Sequence, residues 1–343
     1  MVNLYDYHHK NLNPGRMHRK FLVSGLYIFL IGLSFIDSFA TRIDSPDGAL
    51  NNIRGKTGSC SFPIVAVGDL QRTSVWEYMI GRESNDFERK EIVDNIAQQN
   101  PGSVVLLGDM VFEGDNIDHW KYFDSVMTPV TKEKIPVFPV IGNHEYWGKN
   151  RIALEYLTER FPVLKGSHWY TEICDSVALI FLDSNDLEYS SEEWQTQIDW
   201  FKNKLLLFDN DPSIRGILVF AHHPPYTNSL ITGDEMQVQL GFVPAFDKSR
   251  KTLAFITGHA HTYERFIEKN KTFIVSGGGG GPRVLLKTGE NAHHDYYKGT
   301  SPRPFNYLLI NKESGGLGIT VKGVKKGTTN FFILEHFILP FNN

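Results

Sequence analysis

Short apolar runs, each closed by a turn that carries oxygen or imidazole donors, constrain this chain more than any other feature. Ile64-Val65-Ala66-Val67 runs into Gly68-Asp69, and Val104-Val105-Leu106-Leu107 into Gly108-Asp109. Residues 137–141 lead to Gly142-Asn143-His144-Glu145, residues 217–220 to Ala221-His222-His223-Pro224, and residues 253–257 to Gly258-His259-Ala260-His261. Apolar runs of this length without polar alternation are what strands covered on both faces require. Between them, residues 88–99 place Ile92, Val93 and Ile96 at helical spacing and stop at Asn100-Pro101-Gly102, and a second helix is expected around 120–126. Strand, helix, strand, helix, strand is the order of an α/β protein.

Further along, residues 169–172 and 177–183 read as an antiparallel pair turning near Asp175-Ser176. Residues 194–208 read as a helix with Trp194, Ile198, Phe201 and Leu205 on one face. Residues 273–276 read as another buried strand, and the stretches around 307–310, 317–322 and 330–339 make the last third β-rich. No repeat or linker interrupts the pattern, so residues 62–343 are expected to form one domain. Apolar residues make up 41% of the 343 and aromatics 13%, ample for a core. The formal charge of −4 gives no general basic footprint, so nucleic acid is not an expected partner.

Arg16, His18, Arg19 and Lys20 precede an apolar run over 21–36, and Ser38-Phe39-Ala40 follows. Basic, apolar and small-residue segments in that order read as a secretory signal over 1–40, with a polar lead-in over 41–61. The run is shorter than the roughly 20 residues of a comfortable membrane span. A secreted or periplasmic protein is expected. If the leader stays uncleaved it anchors the protein to a membrane, facing the exterior, and only then is membrane association expected. Cys60 and Cys174 are the two cysteines. An oxidising compartment allows them to pair, and two buried thiols is the alternative.

Turns that follow strands sit at the carboxyl edge of an open α/β sheet, where such folds place their sites. Asp69, Asp109, Asn143, His222, His259 and His261 are therefore expected in one crevice. In extended backbone residues i and i+2 point the same way, which lets His259 and His261 both face it. Carboxylate, amide and imidazole donors without thiolate suit Mn, Fe or Zn. Six or seven donors are too many for one catalytic metal with open positions, and suit two divalent ions about 3.5–4 Å apart.

In order, Gly68-Asp69-Leu70-Gln71, Gly108-Asp109, Gly142-Asn143-His144-Glu145, His222 and Gly258-His259-Ala260-His261 resemble the five motifs of the calcineurin-like metallophosphoesterase superfamily. The tail His261-Thr262-Tyr263-Glu264-Arg265 is similar to the purple acid phosphatase branch. The match runs from about residue 64 to 283. The resemblance implies a four-layer αββα sandwich of two mixed sheets flanked by helices, acting on small-molecule phosphate esters. It implies that Asp69 and His261 bind a first metal, that Asp109 bridges, and that Asn143, His222 and His259 complete a second. A shared hydroxide would attack phosphorus, with His144 contacting phosphate and protonating the leaving oxygen. Two positions depart from the pattern. Gln71 stands where the superfamily usually has histidine, and its amide oxygen is a weaker ligand. Phe112 stands where purple acid phosphatases have a metal-binding tyrosine, so no purple iron(III) chromophore is expected.

Singly, these residues carry less. Gly-Asp after a strand is an ordinary turn, and only the ordered set gives Asp69 and Asp109 weight. His222 and His223 are adjacent and point oppositely, so His222 is taken as the ligand and His223 as a catalytic residue near substrate, with a merely hydrogen-bonded His223 as the alternative. Gly277–Gly281 with Pro282-Arg283 either offers N–H groups and a guanidinium to phosphate or bends to pass close to the metal loops. Arg283 joins Asn143 and His144 as a substrate-binding candidate. His293, His294 and Asp295 read as loop residues, and Trp147, Trp169 and Tyr170 as core or rim aromatics. The expected activity is metal-dependent hydrolysis of phosphate monoesters. A phosphodiesterase or nucleotide hydrolase is the alternative on the same site, and a non-catalytic metal-containing binding protein the alternative of another class.

Overall fold

Twelve strands divide into two six-stranded sheets in the computed structural model, which describes residues 59–342. The expected leader and all of the lead-in up to residue 58 lie outside the described residues. The first sheet holds parallel β1 (Ile64–Val67), β2 (Ser103–Leu106) and β3 (Val137–Pro139). It continues through antiparallel β10 (Phe305–Glu313), β11 (Gly316–Val324) and β12 (Phe331–Pro340), in spatial order β12-β11-β10-β1-β2-β3. In the second sheet β5 (Val177–Phe181), β6 (Gly216–Phe220), β7 (Thr252–Thr257) and β9 (Lys271–Ser276) run parallel. Antiparallel β4 (Tyr170–Cys174) and β8 (Tyr263–Glu268) form its edges, giving the order β4-β5-β6-β7-β9-β8.

Burial explains why the central strands read as unbroken apolar runs. Along β5, Val177, Leu179 and Phe181 pack in the cluster that includes Ile64, Val104 and Phe138 of the first sheet. Ala178 and Ile180, with Leu182 beyond, point the other way, onto Ile198, Phe201 and Leu205. Alternation therefore serves two cores. The rings of Phe138 and Phe181 stack between the sheets at 6.1 Å. On the outer face of the first sheet lie α2 (Asp86–Gln98), α3 (Ile117–Val126), α4 (Thr128–Lys132) and α5 (Asn150–Arg160), through Ile92, Ile96, Trp120, Val130 and Leu157. The second sheet is covered by α6 (Ser191–Asn210), α7 (Met236–Gly241) and α8 (Val243–Lys248). The short α1 (Val75–Met79) buries none of its residues. Helix, sheet, sheet, helix is the expected four-layer architecture.

Helix α6 starts before its apolar stripe because Ser190 and Glu193 form a capping box. Cys60, just before β1, forms a disulfide with Cys174 at the end of β4, Cα to Cα 5.0 Å, so the paired reading holds and one sheet is tied to the other. Among the described residues no helix is long and apolar enough to cross a membrane.

Parallel register brings the donor turns together. Val67 pairs with Leu106, and Leu106 with Pro139. Beyond the strands, Asp69 N–H donates to Gly108 O (3.1 Å) and Gln71 N–H to Asp109 O (2.9 Å), zipping the first two turns side by side. On the second sheet Gly258 N–H donates to His222 O at 3.0 Å.

Candidate metal centre

Four donor residues have left-handed backbone: Asp69 (φ 63°), Asp109 (φ 52°), His259 (φ 66°) and His261 (φ 45°). Such a conformation costs a non-glycine residue roughly 1–2 kcal/mol and clusters at functional sites. The extended backbone expected at 259–261 is therefore corrected. Both imidazoles reach the crevice, but through a turn rather than through strand alternation. Gly108 (φ 86°) precedes Asp109, and a Cβ there would lie 2.5 Å from His222 Nδ1, so no larger residue fits.

The strained turns are braced by their own carboxylates. Asp69 Oδ2 accepts His259 N–H at 2.9 Å, and Asp109 Oδ1 accepts His144 N–H at 3.1 Å. Glu145, fully buried, goes further. Its Oε2 accepts the N–H groups of Asp109 (2.9 Å) and Gly142 (2.8 Å), and its Oε1 those of Met110 (2.8 Å) and Val111 (3.2 Å). One carboxylate thus joins the second and third donor turns. Burial, and then the charge of Asp109, push its pKa up to about 7 against these N–H groups.

On one side of Asp109, His261 Nε2 lies 3.3 Å from Asp69 Oδ1 and 3.0 Å from Gln71 Nε2, which also donates to Asp109 Oδ2 at 3.2 Å. His261 Nδ1 sits 2.9 Å from Pro282 O, so its proton belongs there and Nε2 keeps a lone pair. Asp69 Oδ1 and Gln71 Oε1 are buried and accept no hydrogen bond. On the other side, His222 Nε2 lies 3.3 Å from Asp109 Oδ1, 3.2 Å from Asn143 Oδ1 and 3.1 Å from His259 Nδ1. His222 Nδ1 faces Leu107 O at 2.7 Å. Imidazole nitrogens converging on carboxylate and amide oxygens, with the opposite nitrogens of His222 and His261 held by carbonyls, is the arrangement of metal ligands oriented by their surroundings. Asp69, Asp109 and His261 form one group whose ligand atoms lie within 4.8 Å of one another, and His222, His223 and His259 another.

The electrostatics follow from crowding. Burial raises Asp109, but the charge of His222 and then of His144 outweighs it and holds this carboxyl far below the usual range. Asp69 is raised by burial, only partly offset by His261. His222 is raised to about 9 because Asp109 overrides its burial. His223 is lowered to about 3 by burial and then by His222, and His259 is also pushed down, by burial and then by His223.

His144 presents Nε2 toward Asp109, 3.8 Å from Oδ2, while its Nδ1 lies 2.7 Å from Phe112 O. His223 lies beside the centre, its ring 4.4 Å from that of His259, with Nδ1 held 2.8 Å from Ser184 Oγ. The Arg283 guanidinium donates to both Glu83 oxygens (3.0 and 2.7 Å) and lies 4.8 Å from the Phe305 ring. The glycine run serves close approach, since the N–H groups of Gly277, Gly279 and Gly281 donate to Thr262, Gly68 and Asp69 carbonyls. Sequence reasoning gave Glu145 and Ser184 no role. Glu145 stood inside a quoted motif, and an acid next to a donor turn was its signal. Ser184 gave none.

The sequence matches the family described as calcineurin-like phosphoesterase over residues 62–263. No curated protein matches it. Among solved structures, a purple acid phosphatase from yellow lupin (Lupinus luteus) seeds is 16% identical with a TM-score of 0.65, covering 83% of this chain and 54% of its own. The chain thus spans about half of the lupin protein. A dimetal phosphatase from Danio rerio is 18% identical with a TM-score of 0.57, covering 82% and 99%. The anchor of the Plasmodium inner membrane complex is 14% identical with a TM-score of 0.60, covering 82% and 89%. At these identities the likeness shows the fold. With the family match spanning more than half of its length, the chain belongs to the calcineurin-like phosphoesterase family.

Proposed function

We propose that the protein is an exported phosphoesterase that holds two divalent cations and hydrolyses phosphate monoesters. One observation carries the reading. The Asp109 carboxylate stands between two donor sets, Oδ1 toward His222, Asn143 and His259, and Oδ2 toward Gln71 and His261. The residues fit the group, because Asp69 Oδ1 and Gln71 Oε1 are buried acceptors with nothing to accept. Asp69, Gln71, Asp109 and His261 would hold one ion, and Asp109, Asn143, His222 and His259 the other. A half-turn of the Gln71 amide would put its oxygen where Nε2 now stands. The thiolate-free donor set suits Mn, Fe or Zn.

When bound, such a pair supplies Lewis acidity and a water acidified enough to attack near neutral pH. The chain's own residues do the rest. Asn143 and His144 flank the crevice where the phosphoryl group would lie. The Phe112 carbonyl accepts the Nδ1 proton of His144 and so aims Nε2 at the leaving oxygen, to which the imidazolium form would give its second proton, an effect of roughly 10²–10⁴-fold. Ser184 orients His223, whose depressed pKa keeps it neutral as a hydrogen-bonding partner at the rim.

The basic and apolar leader and the Cys60–Cys174 disulfide support export. Since one structural neighbour is named for anchoring, fold alone does not assign catalysis. Elemental analysis of the purified protein, with 4-nitrophenyl phosphate and bis(4-nitrophenyl) phosphate as paired substrates, tests the reading. Two equivalents of metal and faster monoester turnover are expected. Faster diester turnover makes it a phosphodiesterase, and metal without turnover of either ester makes it a binding protein.

A further inference from the structure

One wall of the crevice is aromatic. The rings of His144 and Trp147 lie 3.8 Å apart at 32°, and Phe112 packs 5.2 Å from His144 and edge-on 5.4 Å from Trp147. The tryptophan is fixed from behind. Its N–H donates to His144 O (3.2 Å), and its carbonyl accepts Asp115 N–H (3.3 Å). The Asp115 carboxylate in turn accepts Lys149 N–H at 2.7 Å. Gly148 (φ 93°) passes against that same carboxylate, where any Cβ would collide. Yet Trp147 is 41% exposed, whereas Trp120 is fully buried with its indole N–H on Gly114 O. A large ring held rigid and left open beside the centre has a face to offer.

The reaction fixes what meets that face. In hydrolysis the water oxygen bonds to phosphorus and the ester P–O bond breaks. The departing oxygen keeps the electron pair and takes the His144 Nε2 proton, which the water's released proton restores. The leaving oxygen must come within about 3 Å of Nε2 for that transfer. The carbon skeleton attached to it therefore starts next to His144, and the indole packed on that imidazole is the adjoining surface. We propose, resting on the phosphoesterase reading, that Trp147 is a platform for the leaving group and that the site favours phosphate esters whose leaving group presents a flat aromatic face. Offset stacking on indole rewards a planar ring and not a puckered one of equal size.

The test uses the metal-loaded full chain and its Trp147→Ala, Trp147→Leu and Trp147→Phe variants. Turnover of phenyl phosphate is compared with that of cyclohexyl phosphate, and binding of phenylphosphonate with that of cyclohexylphosphonate by calorimetry. Trp147→Ala and Trp147→Leu should lower kcat/KM for phenyl phosphate about 3- to 10-fold, with phenylphosphonate affinity falling in step. The cyclohexyl compounds should be little changed, and Trp147→Phe should keep most of the aryl preference. Should Trp147→Ala not fold, Trp147→Leu keeps the bulk without the π-face and decides. Equal losses on both esters overturn the proposal. So does a larger loss on cyclohexyl phosphate, whose poorer leaving group leans harder on the acid and would show that Trp147 only positions His144. If the wild type hydrolyses no ester, the phosphoesterase reading fails, while the phosphonates still report on the platform. Equal affinity for the phenyl and cyclohexyl compounds, unmoved in Trp147→Leu, would then overturn it.

Discussion

The Glu145 carboxylate accepts the backbone N–H of Asp109 at 2.9 Å, so the proposed bridging ligand is placed by a residue that would itself touch neither cation. All four partners of Glu145 are N–H groups, and only a carboxylate can accept from all of them. Glu145→Gln keeps the shape but turns an NH₂ toward two donors. It should cost about 2–3 kcal/mol of stability and release metal at lower chelator concentration. Urea melts and elemental analysis check both.

Asp109→Asn should lose both metals' proper spacing, because its two oxygens face different donor sets. Metal-assisted charge stabilisation is worth several kcal/mol, so activity should fall by roughly 10³-fold or more. Normal turnover at full metal content would remove the bridging role.

Glu264, buried behind the rim, accepts Thr227 Oγ1–H (2.6 Å) and Asn228 N–H (2.8 Å). Burial first, with Asp295 adding, raises its pKa from 4.5 to about 7. Between those values the folded protein keeps a proton that the unfolded chain has released. This contribution to stability is fully present below pH 4.5 and is lost as pH rises to 7, on the order of 3 kcal/mol. Glu264→Gln should flatten that fall in a series of thermal melts across the interval.

The Cys60–Cys174 bridge closes a sequence separation of 114 residues. Replacing both cysteines by alanine should cost about 3–5 kcal/mol, chiefly by freeing the unfolded chain. The urea midpoint of the variant, compared with that of the oxidised protein, measures it.

Much of this was legible in the sequence, for a physical reason. Strands such as β1, β2 and β6 are covered on both faces, so their residues have one tolerable composition, and their ends mark the crevice. The helix α5 was not foreseen, since it buries only Ala153 and Leu157 and shows no stripe. Strand β8 hid inside the tail of the last donor motif. The turn at His259 and His261 defeated the period-two rule, which assumes extended backbone. The partner of Arg283 was not legible either, since Glu83 lies 200 positions away. Pairing at that separation leaves no local trace.

Left-handed backbone at Asp69, Asp109, His259 and His261 has one more consequence. Four residues of that kind, set in three turns that face one another across a single gap, act as wound springs whose latch is the cargo they would grip. Emptied of cations, this edge should be the first part of the sandwich to slacken, exchanging its amide hydrogens while the sheets beneath still hold theirs.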